Sequence, residues 1–520
     1  MTALRTASIG ALIVAAGAAQ ADVTAEEVWQ NWQQSARQLG ETQVETGAQN
    51  REGDTLTITD MVFTLDEEDG GLVVRLPRID FTETGDGTVE VRMSESYPVT
   101  ITGTEEDGAE IVIDLSVEQT GLALTVSGTP EAMRHDYEAA RYAMTVESIT
   151  EDGAAIPAEA RFALDALRGS YLSRTGPDGP GGSETEYDLA ADTLALTIES
   201  EDRDETGAEQ AVSIDASVAE VALSGRLALP EGMEEAEALP EGFALGFDYA
   251  TGPALVEFDA EGPQGRAAGT ARTASSAVQL SLDPARVAYD SSTKGLELVL
   301  PEGPMPFRIE VSAAEYGFGI DLPLGADAAP QDLSARVTID SLAFGDPIWD
   351  LFDRNEVLPR EPATLIVELS GSARLPRDLA DLETAGAMGE AMGETGDEAG
   401  GETGGMPEAA PEIESLALDR LVLRLAGAEI LGDGAFTFDN ADLETFDGFP
   451  RPEGRIDLRA TGLNGLLENL ANMGVFPAEQ MMGVRMMLGL FSTTVGNDEL
   501  TSEIVIDEAG QVTANGQRIR

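Results

Sequence analysis

The inventory of acids, bases and nucleophiles in this 520-residue chain is narrow: it has one histidine, His135, one lysine, Lys294, and no cysteine. A Ser-His-Asp or Cys-His arrangement needs an imidazole base, so any such site would have to be built on His135. That residue stands in GTPEAMRHDYEAARYAM, beside Asp136 and Tyr137, with no nucleophile motif around it. A structural or surface histidine is expected. Zinc requires Cys or several His ligands, and no second one exists. The phosphate-cradling GxxxxGK[ST] loop is absent, and Gly400-Gly401 lies in low-complexity sequence rather than between a strand and a helix. Carboxylates alone are abundant, with 96 Asp and Glu. They leave open one enzyme class, glycoside hydrolysis by a carboxyl pair. Such clefts are usually aromatic-lined, and this chain is 5% aromatic, with Trp29, Trp32 and Trp349 its only tryptophans.

Two further patterns carry potential chemistry. Asp-Gly pairs begin at Asp69, Asp86, Asp107, Asp152, Asp178, Asp433 and Asp447. Calcium takes six to eight clustered oxygens, but neither the EF-hand spacing nor a tandem nonapeptide repeat is present. Asp-Gly is also what a tight hairpin turn requires, and turns are expected at all seven. Near the C-terminus, Met481, Met482, Met486 and Met487 cluster. Thioethers suit copper(I), yet methionine also fills irregular cores or lines a surface for greasy ligands, and core is expected. The sequence therefore assigns no catalytic, cofactor-binding or metal-ligating residue, and no cofactor is expected.

The elements that would position any site begin after an export signal. Arg5 and the amine precede an apolar run, Ala7 to Ala19, and Ala19-Gln20-Ala21 supplies a small-x-small cleavage site. Residues 1–21 are expected to be removed before Asp22. The apolar run falls short of the about 20 residues a membrane span needs, and with no cysteine a lipoprotein anchor is excluded. The mature chain is expected in the periplasm or released outside. Its formal net charge is −65, a field that repels nucleic acid and disfavours anionic lipid surfaces.

Thr24-Ala25-Glu26-Glu27 forms a capping box, and Val28, Trp29, Trp32, Ala36 and Leu39 follow at helical spacing up to Gly40. From Asp54 the period switches to two. Leu56-Ile58, Val62-Leu65, Leu72-Leu76, Ile79-Phe81, Val89-Met93, Val99-Ile101, Ile111-Val117 and Leu122-Val126 alternate around Asp-Gly turns, an antiparallel meander wet on one face. The pattern resumes from Leu194 to Phe344. Asp346 to Phe352 reads as a short helix packing Trp349 and Phe352. Residues 384–411, rich in Gly, Glu, Ala and Met, have no periodicity and read as a disordered linker or loop. They divide a β region, 22–383, from a segment, 412–520, that is expected to continue the same sheet. That segment carries strands, then two helices beginning near Leu463 and Pro477, then a last hairpin.

Several stretches, DVTAEEVWQNWQ, REGDTLTITD, IDFTETGDGTVEV, DPIWDLFD, DGFPRPEGRIDLRATG and LNGLLENLANMGVF, resemble a family of secreted Gram-negative proteins catalogued as domain of unknown function 2125. The resemblance covers nearly the whole mature chain. It implies a periplasmic, β-rich protein and no active-site residue.

The expected architecture is mainly β. It is an elongated, twisted antiparallel meander, curled into a groove, with an N-terminal helix and two C-terminal helices over its ends or inner face. One apolar face of so long a sheet must be covered by a second sheet, by helices or by a ligand. The expectation that follows is a non-enzymatic envelope protein that holds or passes a lipid or other apolar molecule. An envelope scaffold or protein-interaction module with a filled core is the alternative, and a carboxylate glycosidase is a distant third.

Overall fold

A computed structural model describes residues 23–520 apart from 38–40, 68–69, 106–107, 176–181, 204–208, 232–235, 237, 263–264, 304–305, 377–378, 380–410 and 475–477. The expected cleavage site therefore lies outside the described residues, as does almost all of the 384–411 segment.

Helix α1 (Ala25–Arg37) starts where the capping box places it. The Glu27 backbone N–H donates to Thr24 Oγ1 at 3.3 Å, and the Thr24 N–H returns a bond to Glu27 Oε2 at 2.9 Å. Its tryptophans pack on the sheet. The Trp29 and Trp32 rings lie 6.0 and 5.2 Å from that of Phe81.

Most of the rest is antiparallel sheet, and among the described residues 28 strands join into one. Strands β1 (Glu41–Glu45) and β2 (Ala48–Glu52) lie end to end along β3 (Thr55–Glu67), which pairs with β4 (Gly70–Glu83). Next come β5 (Val89–Met93) with β6 (Ser96–Thr104), then β7 (Glu110–Thr120) with β8 (Ala123–Thr129), then β9 (Ala132–Glu151). Strands β10 (Ala154–Ile156) and β11 (Ala158–Thr175) share the next rank, followed by β12 (Ser183–Arg203) and β13 (Glu209–Leu229). Two more broken ranks follow: β14 (Ala244–Thr251) with β15 (Ala254–Gly262), then β16 (Gly265–Thr273) with β17 (Ser275–Leu282). Single strands continue the order: β18 (Arg286–Glu302), β19 (Ile309–Pro323), β20 (Asp327–Phe344), β21 (Ala363–Leu375), β22 (Glu412–Leu425), β23 (Ala428–Asp439) and β24 (Arg451–Thr461). Strands β25 (Thr493–Gly496), β26 (Glu499–Ile506), β27 (Val512–Ala514) and β28 (Gln517–Arg518) finish it. About twenty ranks at roughly 4.8 Å per rank give a contour of roughly 95 Å. The strands on either side of 380–410, β21 and β22, are direct neighbours, Val367 facing Leu421.

Open sheets rarely pass about 10 strands without curling, and this one bends along a single line. Away from the hairpin turns, left-handed φ recurs at Asp60 (49°), Gly121 (67°), Ala166 (53°), Glu220 (54°), Gly295 (65°) and Ser341 (55°). Continuing the pairing registers places them on one transverse seam, with Gly121 beside Ala140, then Ala166, Asp192 and Glu220 in successive ranks. Each left-handed residue turns its strand and shifts the apolar alternation by one position, as a bulge does. Ile58 hands over to Met61, Leu164 to Leu167, Val218 to Val221. Each pair stays within one packed cluster, so both arms of the bent sheet keep their apolar side chains on a common face.

A non-glycine residue held left-handed is strained by about 1–2 kcal/mol. Ala166→Gly is therefore expected to raise stability by about 1 kcal/mol and Ala166→Val to lower it by more. Urea denaturation of the two variants beside the parent checks this.

Two expectations are corrected. Asp433-Gly434 is no turn. It lies mid-strand in β23, with Gly434 facing Ile456 across to β24, and a Cβ there would stand 2.6 Å from the Arg455 carbonyl oxygen. Glycine is present for close approach of strands, not for a reversal. Asp86 and Asp447 do sit in turns, and Asp152-Gly153, both left-handed, joins β9 to β10. The pairs beginning at Asp69, Asp107 and Asp178 involve residues outside those described. The short helix α2 (Asp346–Trp349) buries Trp349 as expected, but Phe352 is exposed although its ring is 5.1 Å from that of Trp349.

Candidate functional site

Period-2 alternation gives the sheet two unlike faces. On one face, Arg and carboxylate side chains pair along and across strands: Arg141–Asp165 at 2.6 Å, Arg168–Asp192 at 3.0 Å, Arg336–Asp290 at 2.7 Å, Arg374–Glu414 at 3.1 Å. The other face is apolar. Paired residues carry it from rank to rank, as in Tyr289, Ile320, Ala335 and Leu369, or Val337, Val367, Leu421 and Gly432.

What covers that face changes along the molecule. Over the first ranks it is filled: Val28 and Trp29 of α1 pack with Ile58, Ile79, Phe81, Val91 and Val126 in the largest buried cluster. A second cluster lies along the seam around Leu164, Leu167, Ala191 and Val221. Beyond β13 the face carries no buried cluster of its own strands among the described residues. A third cluster gathers Trp349, Leu358 and Ala426 near one strand end, against Leu466 and Leu470 of helix α3 (Leu463–Asn472). Between these ends most of the apolar side chains are half-buried, and Tyr316 and Phe318 are 41% and 42% exposed.

Between the first and second clusters, where α1 ends, lies an open cavity of about 580 Å³. Trp32, Ser35 and Ala36 of α1 roof it, and Met93, Tyr97, Leu122, Leu124, Tyr137, Tyr142, Leu167 and Tyr171 form its walls with Gln119 and His135. No lining residue is Asp or Glu, so the carboxyl pair of a glycosidase is not assembled here.

His135 is 7% exposed and accepts a hydrogen bond at Nε2 from Trp32 Nε1 at 3.1 Å. Accepting at Nε2 places the proton of the neutral ring on Nδ1. Its sequence neighbour Asp136 points to the opposite face and pairs with Arg134 at 2.9 Å, so the two form no His-Asp dyad. Burial pushes the imidazole below its ordinary pKa of 6.5. The unfolded chain then binds more protons just below pH 6.5, so stability is full above that pH and falls as pH drops toward the lowered folded-state value. Melting temperatures taken from pH 7.5 down to 5 should fall for the parent and stay flatter for His135→Gln. Burial, together with the neighbouring Tyr142 hydroxyl, likewise pushes the Tyr97 phenol above its ordinary range.

Helix α4 (Ala478–Phe491) corrects the methionine expectation. Met481 is buried at 6% exposure, but Met482, Met486 and Met487 are 70%, 71% and 61% exposed. They form a surface, not a core. Solvent access governs thioether oxidation, so dilute peroxide should oxidise these three well before Met481 and the buried Met133, as read by peptide mass spectrometry. Among the described residues no group of three or more His, Cys, Asp or Glu is placed to hold a metal, and no helix is long and apolar enough to cross a membrane.

No family model, curated protein or solved structure matches the chain. The functional reading therefore rests on the geometry. The alternation had pointed to an apolar face, but it gave no sign of the cavity. Half of the wall residues, His135, Tyr137, Tyr142, Leu167 and Tyr171, come from β9 and β11, which the sequence pattern does not mark as strands.

Proposed function

We propose that this is a non-enzymatic protein of the bacterial envelope, exported by residues 1–21, that holds or passes a lipid or another apolar molecule along the apolar face of its sheet. One observation carries the reading: from β14 to β23 most apolar side chains of that face are half-buried or exposed, with no second sheet laid over them among the described residues. Leaving such an area in water is unfavourable by roughly 25 cal/mol per Å², and hydrocarbon is the natural cover. A filled core would have favoured the scaffold reading. An interaction module stays the second reading, because α4 presents three methionines to the surface.

Native mass spectrometry with lipid extraction, on protein purified without detergent from the cells that make it, tests the proposal. Stoichiometric apolar ligand is expected, on a chain beginning at Asp22. An apo mass that stays unchanged after incubation with liposomes would sink the proposal and leave the interaction module in front.

A further inference from the structure

The cavity under α1 gathers a share of the chain's rings far out of proportion to its size. Four of the eight tyrosines line it, with one of three tryptophans and the only histidine. Its volume lies within the about 300–1,000 Å³ typical of small-molecule sites. The polar atoms around it are turned mainly to protein partners. Trp32 Nε1 donates to His135, the Tyr137 hydroxyl donates to the Asp188 carbonyl at 3.2 Å, and Gln119 Nε2 donates to the Ser94 carbonyl at 2.9 Å. Apart from the Asn31 and Ser35 side chains and the unpaired Nδ1 of His135, hydrocarbon and ring faces are what the walls leave for a ligand, with no lining carboxylate or guanidinium for a charged group.

Position adds the second half of the argument. Leu122, Tyr137, Tyr142 and Leu167 of the cavity wall also pack with the seam cluster, alongside Leu189, Leu194 and Val218. The cavity thus borders the seam cluster, and with it the apolar face, on its β12–β13 side. On the other side α1 and the filled core of the first ranks close it. A molecule lying along the face toward this end would meet α1 and that filled core.

Resting on the functional reading above, we infer that this cavity is the closed end of the lipid path and takes the terminal hydrocarbon of an amphiphile, whose headgroup stays outside it. Recognition is by shape and apolar contact, so it discriminates chain from headgroup rather than one headgroup from another.

Trp32, in the roof, reports on this directly. Delipidated full-length mature protein would be titrated with two neutral monoacylglycerols, one brominated at the chain terminus and one beside the glycerol, and Trp32 quenching taken as the difference between the parent and Trp32→Phe. The terminal bromine is expected to quench Trp32 several-fold more than the proximal one. Ala36→Phe, which fills the cavity from the helix side, is expected to abolish that quenching while lipid still co-purifies on the rest of the face. Equal quenching by the two probes, or quenching that Ala36→Phe leaves unchanged, would overturn the inference while leaving lipid carriage standing. If neither probe binds the parent at all, the functional reading fails with it. The comparison of bromine positions uses the parent fold and so does not depend on the filled variant being stable.

Discussion

Phe81→Ala is expected to cost about 3–5 kcal/mol, the range for truncating a fully buried aromatic side chain. Phe81 is completely buried on β4, and the rings of Trp29 and Trp32 both rest on it. Removing it takes away the ring that both tryptophans of α1 rest on, leaving the helix to Ala25 and Val28 in the rest of that core and to the Trp32–His135 hydrogen bond. The other named anchors are the Ala25 N–H bonded to Glu83 Oε1 at 3.0 Å and the Arg51 bridge to Glu26 and Glu83. Those ion pairs are partly exposed and worth at most about 1 kcal/mol. Urea unfolding followed by tryptophan emission would read the loss at the helix itself. A change below about 1 kcal/mol would mean that α1 is held by something other than this core.

The second large effect falls on binding. Phe318 lies on the apolar face, 42% exposed, between Ser291 and Val337 in the neighbouring strands and 6.2 Å from the Tyr289 ring. Without ligand, a glutamate there keeps contact with water and the fold should tolerate Phe318→Glu. With hydrocarbon laid over it, the carboxylate loses that water at a cost of several kcal/mol, and each 1.4 kcal/mol is a factor of ten in affinity. At least a tenfold loss of co-purifying lipid is expected. Thr338→Glu, one residue along from Val337 and therefore on the opposite face, should leave the lipid content near that of the parent. Equal losses from the two variants would show that overall charge, not the apolar face, governs binding.

The fold was legible where local chemistry and the long-range pattern agree. The capping box and the Trp29–Trp32 spacing announce α1. The run Leu72, Val74, Leu76 announces β4, whose second half, Ile79 and Phe81, restarts one position out of phase. That restart is the seam, and it explains what the sequence hid. In β9 the apolar set runs Met133, His135, Tyr137, Ala139 and then Tyr142, Met144, so no window across Ala140 alternates cleanly. Alanine, glutamate and arginine around it add helical propensity. The same break at Ala166 splits β11. Because Tyr137, Tyr142 and Tyr171 of the cavity wall lie on these two strands, the pattern does not bring them out. The four half-strand residues from Met133 to Ala139 were the signal that could have found it.

Helix α4 failed for a different reason. Met481, Met482, Met486 and Met487 fall all round the helix rather than on one stripe, so periodicity cannot say which side is covered. Asp433-Gly434 failed because a glycine that admits a neighbouring backbone looks, in sequence, like one that reverses the chain. The segment 384–411 left two readings open. The pairing of β21 with β22 places the chain on both sides of it in one sheet.

The central claim, that hydrocarbon lies on one face of this sheet and not the other, is tested most directly by photo-crosslinking at alternating positions. A photoreactive amino acid would be placed at Val218, Ile320 or Leu421 on the apolar face, and at Ser217, Asp321 or Arg420 beside them. Each variant would be irradiated in the cells that make the protein and assayed for covalently attached lipid. The account predicts lipid adducts at the first three positions and none above background at the second three. Equal labelling of both sets, or no lipid at any apolar position, would contradict it.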